Sequence, residues 1–226
     1  AAAAIGRSGF IPFDEQSGRF AESFTRNFIA INLSQFPEAL IESELFGHKK
    51  GAFTGAVDNH QGVFARCVPH GAIFLDEIGD VSVPVQIKLL KVLQERRFSP
   101  VGSHENKLFR GRIIAATNHS LTELRREGNF RDDFYYRLCS DVIEVPPLRQ
   151  QLKEDPKTLQ QLLEILLVRI LGQTDPELSK SIRQTLKQDL SSNYRWPGNV
   201  RELEQAVRRV LLNGAYTGDP SASPAG

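Results

Sequence analysis

Methionine is absent from this chain, and cysteine and tryptophan are rare. The 226 residues contain no Met, two Cys and one Trp. Because Cys67 and Cys139 lie far apart, they offer no disulfide framework and no paired zinc spacing, as expected in a reducing cytosol. Cys67 and His70 lack a second ligand pair at usable spacing, which disfavours a shared zinc ion. Without an initiating Met, and with four alanines at its start, the chain is expected to begin inside a helix of a longer protein.

The chain also lacks an excess of either charge and a long apolar run. Lys and Arg number 28 and Asp and Glu 27, a net charge of +1, so the composition does not indicate a protein that wraps nucleic acid. The longest apolar run, near residues 162–168, is far shorter than a bilayer span and contains Glu164. No signal peptide opens the chain. We therefore expect a soluble cytoplasmic protein with no membrane contact and one large core or two smaller ones.

Apolar runs alternate with helical patterns in the first part of the chain. Four runs have the length and composition of buried strands: residues 28–32, 73–75, 112–118 and 141–145. Between the second and third, residues 84–95 carry Ile87, Leu90 and Leu93 or Gln94 on one face of a predicted helix. Strands that alternate with helices in this way predict an α/β fold, with a parallel sheet flanked by helices.

Beyond the Pro146–Pro147 pair the pattern becomes wholly helical. Leucines and isoleucines recur at steps of three and four residues in three further segments: 159–171, 178–190 and 200–212. We predict three regions: an α/β domain over 1–148, a small helical domain over 149–214 and a linker-like tail over 215–226.

Two carboxylates follow the predicted strand at 73–75. Nucleotide hydrolysis on Mg²⁺ requires such a pair, because a buried strand fixes Asp76 near the metal while Glu77 can polarise an attacking water. An apolar run followed by Asp-Glu also occurs by chance. Asn118 ends the next predicted strand, so its amide is expected at the same sheet edge as Asp76. The alternative for Asn118 is a turn-forming role.

Two arginines lie six residues apart in the segment FRDDFYYRL, which spans residues 130–138. The guanidinium groups of Arg131 and Arg137 are always charged and match phosphate oxygens in pairs. A solvated charged helix is the alternative. Further along, Asn199 is predicted to cap the last helix, with Glu202 at the reciprocal position, so that Arg201 in the first turn has a fixed direction.

Residues 51–56, here called the GAFTGA loop, have neither helical nor strand periodicity. Gly51 and Gly55 allow backbone angles closed to other residues, so Phe53 and Thr54 can extend and withdraw at little steric cost. We interpret the segment as a mobile loop tip. An ordinary glycine-rich turn is the alternative.

The motifs together resemble one family. The segments ESELFGHKKGAFTGA, GAIFLDEIGD, FRDDFYYRL and WPGNVRELE are similar to the bacterial enhancer-binding activators of sigma-54 RNA polymerase, which are AAA+ ATPases. The resemblance extends over about residues 27–212. It implies a P-loop NTPase fold of AAA+ type with a helical lid, ATP and Mg²⁺ as cofactors, and a ring, usually a hexamer, with ATP between neighbours. Hydrolysis would drive remodelling of the closed promoter complex through contact with sigma-54.

The resemblance also implies a role for each motif residue. Asp76 and Glu77 correspond to the family's Walker B motif, with Asp76 as the Mg²⁺ partner and Glu77 as the catalytic base. The other roles are sensor I (Asn118), trans-acting arginine fingers (Arg131 and Arg137), lid sensor II (Arg201) and restraint of the Walker B glutamate (Asn32). The residues expected to contact the sigma factor are Gly51, Ala52, Phe53, Thr54, Gly55 and Ala56. Around residues 98–103 the family has a second pore loop that pushes against the first.

The chain departs from the family pattern in its phosphate-binding loop. It contains no G-x-x-x-x-G-K-[ST] segment, and Phe10-Ile11-Pro12 follow Gly9 where a Gly-Lys pair is needed. Either the loop has degenerated or it lies upstream of Ala1, which the alanine-rich start favours. Residues 10–26 exceed the usual family link and are assigned no chemistry. No helix-turn-helix is visible before Gly226, so contact with promoter or enhancer DNA is expected through a domain outside this chain.

Two other functions compete with this interpretation. Another AAA+ machine, such as a helicase loader or chelatase subunit, would share the Walker B and sensor residues but would lack the GAFTGA hexapeptide. A non-hydrolysing module could use the same fold to bind sigma factor, DNA or a signalling nucleotide. Turnover of ATP by the complete protein separates hydrolysing from non-hydrolysing functions.

Overall fold

The computed structural model describes residues 13–14, 16–20, 28–69 and 71–219. It divides into two compact units, the first ending at Val142 and the second beginning at Ile143. The sequence pattern placed this division slightly later, after residue 148. Among the helices of the described ranges, none has the length and apolar content needed to cross a bilayer.

The first unit is a mixed α/β structure. Its strands are β1 (Phe13–Asp14), β2 (Arg19–Phe20), β3 (Phe28–Asn32), β4 (Ala72–Asp76), β5 (Arg97–Phe98), β6 (Lys107–Leu108) and β7 (Arg112–Ala115). Its helices are α1 (Glu38–Phe46), α2 (Val63–Arg66), α3 (Val83–Glu95), α4 (Leu121–Arg126) and α5 (Asp132–Leu138). Two antiparallel pairs, β1 with β2 and β5 with β6, stand beside the main sheet.

The main sheet is parallel and has the strand order β3–β4–β7. Phe28 is opposite Ala72, which is in turn opposite Arg112. The central strand β4 is apolar because helices cover a parallel sheet, and its Ile73 and Leu75 are buried. Three of the four predicted strands are thereby confirmed, although β7 ends at Ala115 and not at residue 118.

The fourth predicted strand, residues 141–145, is absent from the structure. These residues have no regular secondary structure, and Val142, Ile143 and Val145 are exposed. A strand needs a neighbour to pair its backbone N–H and C=O groups, and no strand within the described ranges pairs with this segment. The prediction was wrong because β-branched composition measures fit to a sheet surface and does not supply the partner.

Helix α3 packs in the core of the first unit through a face that overlaps the predicted one. Its buried residues are Val85, Gln86, Leu89, Leu90 and Val92, and the partly buried Leu93 packs against the same core. Leu90 and Leu93 confirm the predicted face, whereas Ile87 is 47% exposed. The buried face extends further, to Gln86, a polar residue whose side chain is buried and hydrogen-bonded.

The second unit is entirely helical within the described residues. Its helices are α6 (Leu148–Glu154), α7 (Thr158–Leu171), α8 (Pro176–Asp189) and α9 (Asn199–Asn213). The last three confirm the predicted helical segments, while α6 was missed because it is too short to show a clear period. The core is centred on Leu163, Leu167, Leu203 and Val207, with Trp196 buried beside them.

The start of α9 differs from the predicted capping box. The side-chain oxygen of Asn199 accepts the N–H of Leu148 at 2.9 Å, and Gly198 precedes the helix with no side-chain cap. Glu202 does accept the N–H of Gly198 at 2.8 Å, so the reciprocal half of the box is present. The capping prediction for Asn199 was wrong because this amide ties the start of α6 to α9.

Glu202 also anchors residues beyond α9. Its carboxylate accepts hydrogen bonds from the hydroxyls of Tyr194 and Tyr216, the latter at 3.0 Å. Tyr216 is only 5% exposed, and the N–H of Asp219 donates to the Tyr194 oxygen at 2.6 Å. Residues 215–219 therefore belong to the packed unit, in contrast to the predicted linker-like tail. Residues 220–226 lie outside the described residues.

Tyr194 and Tyr216, here called the tyrosine cluster, predict that the stability of the second unit depends on pH. Burial and the Glu202 carboxylate raise the pKa of Tyr216 above its ordinary value of 10.0, and burial likewise raises the pKa of Tyr194. The folded protein keeps these protons where the unfolded chain releases them, so the cluster's contribution to stability is full below about pH 10 and is lost above it.

We expect Tyr216→Phe to reduce the loss of stability between neutral pH and pH values above 10, with Tyr194 supplying the remainder. The measurement is urea unfolding followed by fluorescence of Trp196, which is the single tryptophan and lies in this core. Tyr136→Phe, at an exposed position in the first unit, is the control. An unchanged pH slope in Tyr216→Phe would contradict the assignment.

Candidate functional site

Residues Asn32 and Asp76 end neighbouring parallel strands and lie opposite each other in the sheet register. The chain beyond the strands stays at this edge, because the Ile78 N–H donates to Ala116 O and the Ala116 N–H to Leu75 O, both at 2.9 Å. The carboxyl edge of a parallel sheet is where such folds bind ligands. Asn32, Asp76, Glu77 and the segment that leads to Asn118 are thus brought to one edge.

Glu77 has a backbone conformation that few residues adopt. Its φ of 57° and ψ of 48° lie in the left-handed region, and its N–H donates to Asp76 Oδ1 at 3.2 Å. Such strain is often found at functional sites. The Oε2 atom of Glu77 is buried and has no hydrogen-bond partner within the described residues. A buried carboxylate oxygen without a partner is costly, and this atom retains an acceptor position at the sheet edge.

The amide of Asn32 is directed along its own strand end. Its oxygen accepts the N–H of Ser34 at 3.0 Å and the Ser34 hydroxyl at 2.7 Å. Within the described residues no hydrogen bond joins Asn32 to Glu77. The predicted restraint of Glu77 by Asn32 is therefore not formed here, and only the strand register places the two residues near each other.

Next to Asn118 the structure reveals polar residues that the motif analysis did not include. Nε2 of His119 lies 2.9 Å from Asp80 Oδ1, and the His119 N–H donates to Thr117 Oγ1 at 3.1 Å. Asn118 itself is exposed. The available signal was the Gly79-Asp80 pair, which follows the two carboxylates after Ile78 and marks a turn at this edge.

The candidate arginines lie at the two ends of α5. Arg131 precedes the helix, and its guanidinium forms a two-point ion pair with Asp133 at 2.9 and 2.7 Å. Hydrogen bonding in this exposed pair raises the pKa of Arg131 and lowers the pKa of Asp133. Arg137, in the last turn, donates to the Leu93 carbonyl of α3 at 3.3 Å. The guanidinium groups are thus accessible on a helix whose position α3 defines.

The GAFTGA loop is a closed turn with an exposed aromatic tip. Gly51 N–H donates to Ala56 O at 2.8 Å and Ala56 N–H to Phe53 O at 3.0 Å. Phe53 is 38% exposed, and the edge of its ring faces His48 with 4.9 Å between ring centroids. Phe53 is therefore outside the hydrophobic interior and rests on a residue at the base of the loop.

The second loop, residues 98–103, contacts the base of the GAFTGA loop. The Lys49 N–H donates to Val101 O at 3.0 Å, and the Val101 N–H donates to Gly47 O at 2.8 Å. A Cβ atom added at Gly102 would lie 2.7 Å from the Cβ of Ala52. The two loops are therefore held together by backbone hydrogen bonds and close packing, a contact that the sequence suggested only through the family resemblance.

The residues of this edge fit a nucleotide-bound magnesium ion better than a zinc ion. Mg²⁺ at a phosphate site needs one or two carboxylates in addition to the phosphates, and Asp76 supplies one. Within the described residues no group of three or more His, Cys, Asp or Glu is placed to hold a metal ion. Burial raises the pKa of Cys67 to about 11, so the thiol stays protonated at neutral pH. His70 lies outside the described residues.

Arg201 lies in the second unit, in the first turn of α9, and is exposed. It lines an open cleft of about 560 Å³ together with Glu202, Gln205, Arg209, Tyr216 and Asp219. The cleft wall is held in place by the hydrogen bonds of the Glu202 carboxylate to the tyrosines. Two arginines on one polar cleft are suited to an anionic ligand.

A parallel α/β unit with carboxylates at the end of its central strand, followed by a helical unit, defines a protein of the AAA+ ATPase type. The Sigma-54 interaction domain matches residues 15–144, and the AAA+ ATPase lid domain matches residues 143–217. The chain belongs to the sigma-54 interaction domain family, the AAA+ module of sigma-54-dependent transcriptional activators.

Individual relatives agree with this family. The chain is 46% identical over 183 residues to the DNA-binding transcriptional regulator NtrC of Azospirillum brasilense, covering 81% of this chain and 36% of that protein. It is 45% identical over 200 residues to the Nif-specific regulatory protein of Azotobacter vinelandii, covering 86% and 36%. The crystal structure of NtrX from Brucella abortus in complex with ADP matches with a TM-score of 0.63 and 27% identity, covering 85% of this chain and 40% of that one. The chain thus spans little more than a third of these two curated relatives.

The contact between the two loops predicts that a methyl group at Gly102 lowers the stability of the first unit. Gly102→Ala should destabilise the first unit by about 1–3 kcal/mol more than Gly128→Ala, because overpacking adds to the backbone strain. The control matches in backbone, since φ is +73° at Gly102 and +77° at Gly128, and no atom lies within 4 Å of a Cβ at Gly128. Denaturant unfolding monitored by circular dichroism measures the difference. Equal destabilisation by both substitutions would show that the loops do not pack as described.

Proposed function

We propose that this chain is the ATP-hydrolysing module of a sigma-54-dependent transcriptional activator and that it works as a hexameric ring with ATP between adjoining protomers. The observation that carries the proposal is the carboxylate pair at the end of the central strand, where a buried Glu77 oxygen has no partner in the part of the chain that the structure describes. This arrangement leaves Glu77 ready to accept a hydrogen bond from a water molecule. Membership of the AAA+ family supports ATP as the nucleotide.

In the proposed mechanism each residue at the sheet edge has one task. Glu77 orients the attacking water and accepts its proton, and Asp76 holds the Mg²⁺ that would neutralise phosphate charge when bound. The Asn118 amide contacts the γ-phosphate or the water. Asn32 restrains Glu77 from the neighbouring strand, for which it must exchange its present bonds to Ser34.

The arginines are proposed to act on the nucleotide of the adjoining protomer. Arg131 and Arg137 lie at the two ends of one helix with their guanidinium groups at the surface. Charge compensation by an arginine supplied in trans is worth several orders of magnitude in rate. To reach a phosphate, Arg131 exchanges or shares its ion pair with Asp133. Arg201 is proposed to read the nucleotide of its own protomer from the lid.

The GAFTGA loop is proposed to contact sigma-54 through Phe53 and Thr54. The exposed ring of Phe53 can leave the edge of His48 without exposing a core, because it is not part of one. Hydrogen bonds between residues 98–103 and the base of the loop provide a route by which movement elsewhere in the unit reaches the tip. The result is remodelling of the closed complex of RNA polymerase holoenzyme in the cytoplasm, with DNA bound by another part of the activator.

The alternative function is that of a non-hydrolysing module that binds sigma factor or a nucleotide signal through the same fold. The two proposals differ in whether the full-length protein turns over ATP.

The first experiment tests Glu77 as the base. In the full-length protein Glu77→Gln should lower ATP hydrolysis by about 10²- to 10⁴-fold, as expected for loss of general base catalysis, while nucleotide binding is retained. Steady-state phosphate release measures hydrolysis and a fluorescent ATP analogue measures binding. Glu95→Gln, at an exposed position at the end of α3, is the control. Hydrolysis that survives Glu77→Gln would rule out Glu77 as the base, whereas an absence of hydrolysis from the unmodified full-length protein would support the non-hydrolysing alternative.

The second experiment tests the loop tip. Phe53→Ala should lower transcription from a sigma-54 promoter by at least about tenfold while ATP hydrolysis is kept, because truncating a central aromatic contact costs about 2 kcal/mol or more of binding energy. In vitro transcription and phosphate release are measured on the same preparation. Val57→Ala, an exposed apolar residue just beyond the loop, is the control. Equal effects of the two substitutions on transcription would rule against the contact.

A further inference from the structure

Gln86 is a fully buried polar side chain in the first turn of α3, with 0% exposure. Its amide nitrogen donates to the carbonyl oxygens of Val81 at 2.9 Å and Asn129 at 2.8 Å. Its amide oxygen accepts the N–H of Arg131 at 2.9 Å. Both amide protons and the oxygen are therefore used, and only one orientation of the amide group satisfies all three partners.

The backbone segments that Gln86 joins carry the chemistry of the proposed function. Val81 directly follows the turn Ile78–Asp80, which begins immediately after Glu77. Arg131 flanks the start of α5, where backbone N–H groups have no partner within the helix. Gln86 supplies that partner from another element. The acid-bearing strand end and the arginine-bearing helix are thus connected through one side chain.

Helix α5 is held against α3 at both of its ends. Gln86 fixes the N-terminal end, and the guanidinium of Arg137 donates to the Leu93 carbonyl near the C-terminal end. Between them Phe134 is fully buried and packs against Phe130, with ring centroids 5.1 Å apart. The backbone of Arg131 therefore has one defined place, although its guanidinium is exposed.

We propose that Gln86 is a positioning residue for Arg131. It fixes the backbone from which the guanidinium is presented to the nucleotide of the adjoining protomer, and this inference rests on the proposed function. Because Arg131 acts in trans, the loss of Gln86 impairs hydrolysis in the neighbouring subunit. If the buried amide only stabilised its own subunit, its loss would not act selectively on hydrolysis in the neighbouring subunit.

Mixed rings of the full-length protein test whether the loss of Gln86 acts on the neighbouring subunit. Glu77→Gln subunits lack the base but keep Arg131, whereas Arg131→Ala subunits keep the base. Each variant alone should be inactive. Mixing them should restore ATP hydrolysis at sites where Arg131 of a Glu77→Gln subunit meets Glu77 of an Arg131→Ala subunit. Gln86→Met is then introduced into one kind of subunit at a time.

In the Glu77→Gln subunit, which supplies Arg131, Gln86→Met should lower the restored hydrolysis by about tenfold to a hundredfold. In the Arg131→Ala subunit the same substitution should change the restored hydrolysis by less than about twofold. The two results differ because a misplaced catalytic group lowers the rate only at the site where it acts. Gln94→Met, at an exposed position of the same helix, is the matched control and should have no effect in either subunit.

A second variant covers the case in which Gln86→Met fails to fold, since it leaves buried backbone groups unpaired. Gln86→Glu keeps an oxygen for the Arg131 N–H but places another against the carbonyls of Val81 and Asn129. It should show the same asymmetry. Equal loss in both placements for both variants, or no loss in either, would overturn the positioning role. If Glu77→Gln and Arg131→Ala subunits do not complement before Gln86 is changed, the trans arrangement of the proposed function fails, and the inference fails with it.

Discussion

The parallel pairing of β3, β4 and β7 is the constraint on which the candidate site depends. The register sets Asn32 opposite Asp76, and the bond from Ala116 to Leu75 extends the ladder past the end of β7. Parallel strands deliver their carboxyl ends to one edge, so residues far apart in sequence meet there without any specific side-chain contact. The buried apolar residues of β4 hold this edge in place, and Glu77 takes up its left-handed conformation where the strand ends.

Helix α3 connects this edge to the surface where the arginines lie. Its apolar face packs in the core of the first unit, and its one buried polar side chain, Gln86, bonds to the backbone at both Val81 and Arg131. A buried polar group is tolerated only when its hydrogen bonds are satisfied, and here all of them are used to fix neighbouring segments. The backbone from which the proposed trans arginine extends is therefore set by this helix.

The second unit uses the same principle with a charged residue. The carboxylate of Glu202 is buried, and it is satisfied by the N–H of Gly198 and the hydroxyls of Tyr194 and Tyr216. These bonds order the turn before α9 and the residues after it, so Arg201 is presented from a rigid helix start. In both units a buried hydrogen-bonded side chain fixes the backbone beside an arginine whose guanidinium lies at the surface.

The sequence by itself determined the type of most elements and the candidate residues of the site. Strand composition at β3 and β4, helical periodicity in α7 to α9 and the residues that follow β4 are local properties, expressed over a few neighbouring positions. Only the tertiary structure decided that residues 141–145 lack a strand partner, that residues 98–103 hold the GAFTGA loop, and that Tyr216 is buried. Likewise, the sequence does not distinguish Gln86 from a polar surface residue. Folding brings it the carbonyls and the N–H group that satisfy its amide, and the N–H group, that of Arg131, is 45 positions away in the sequence.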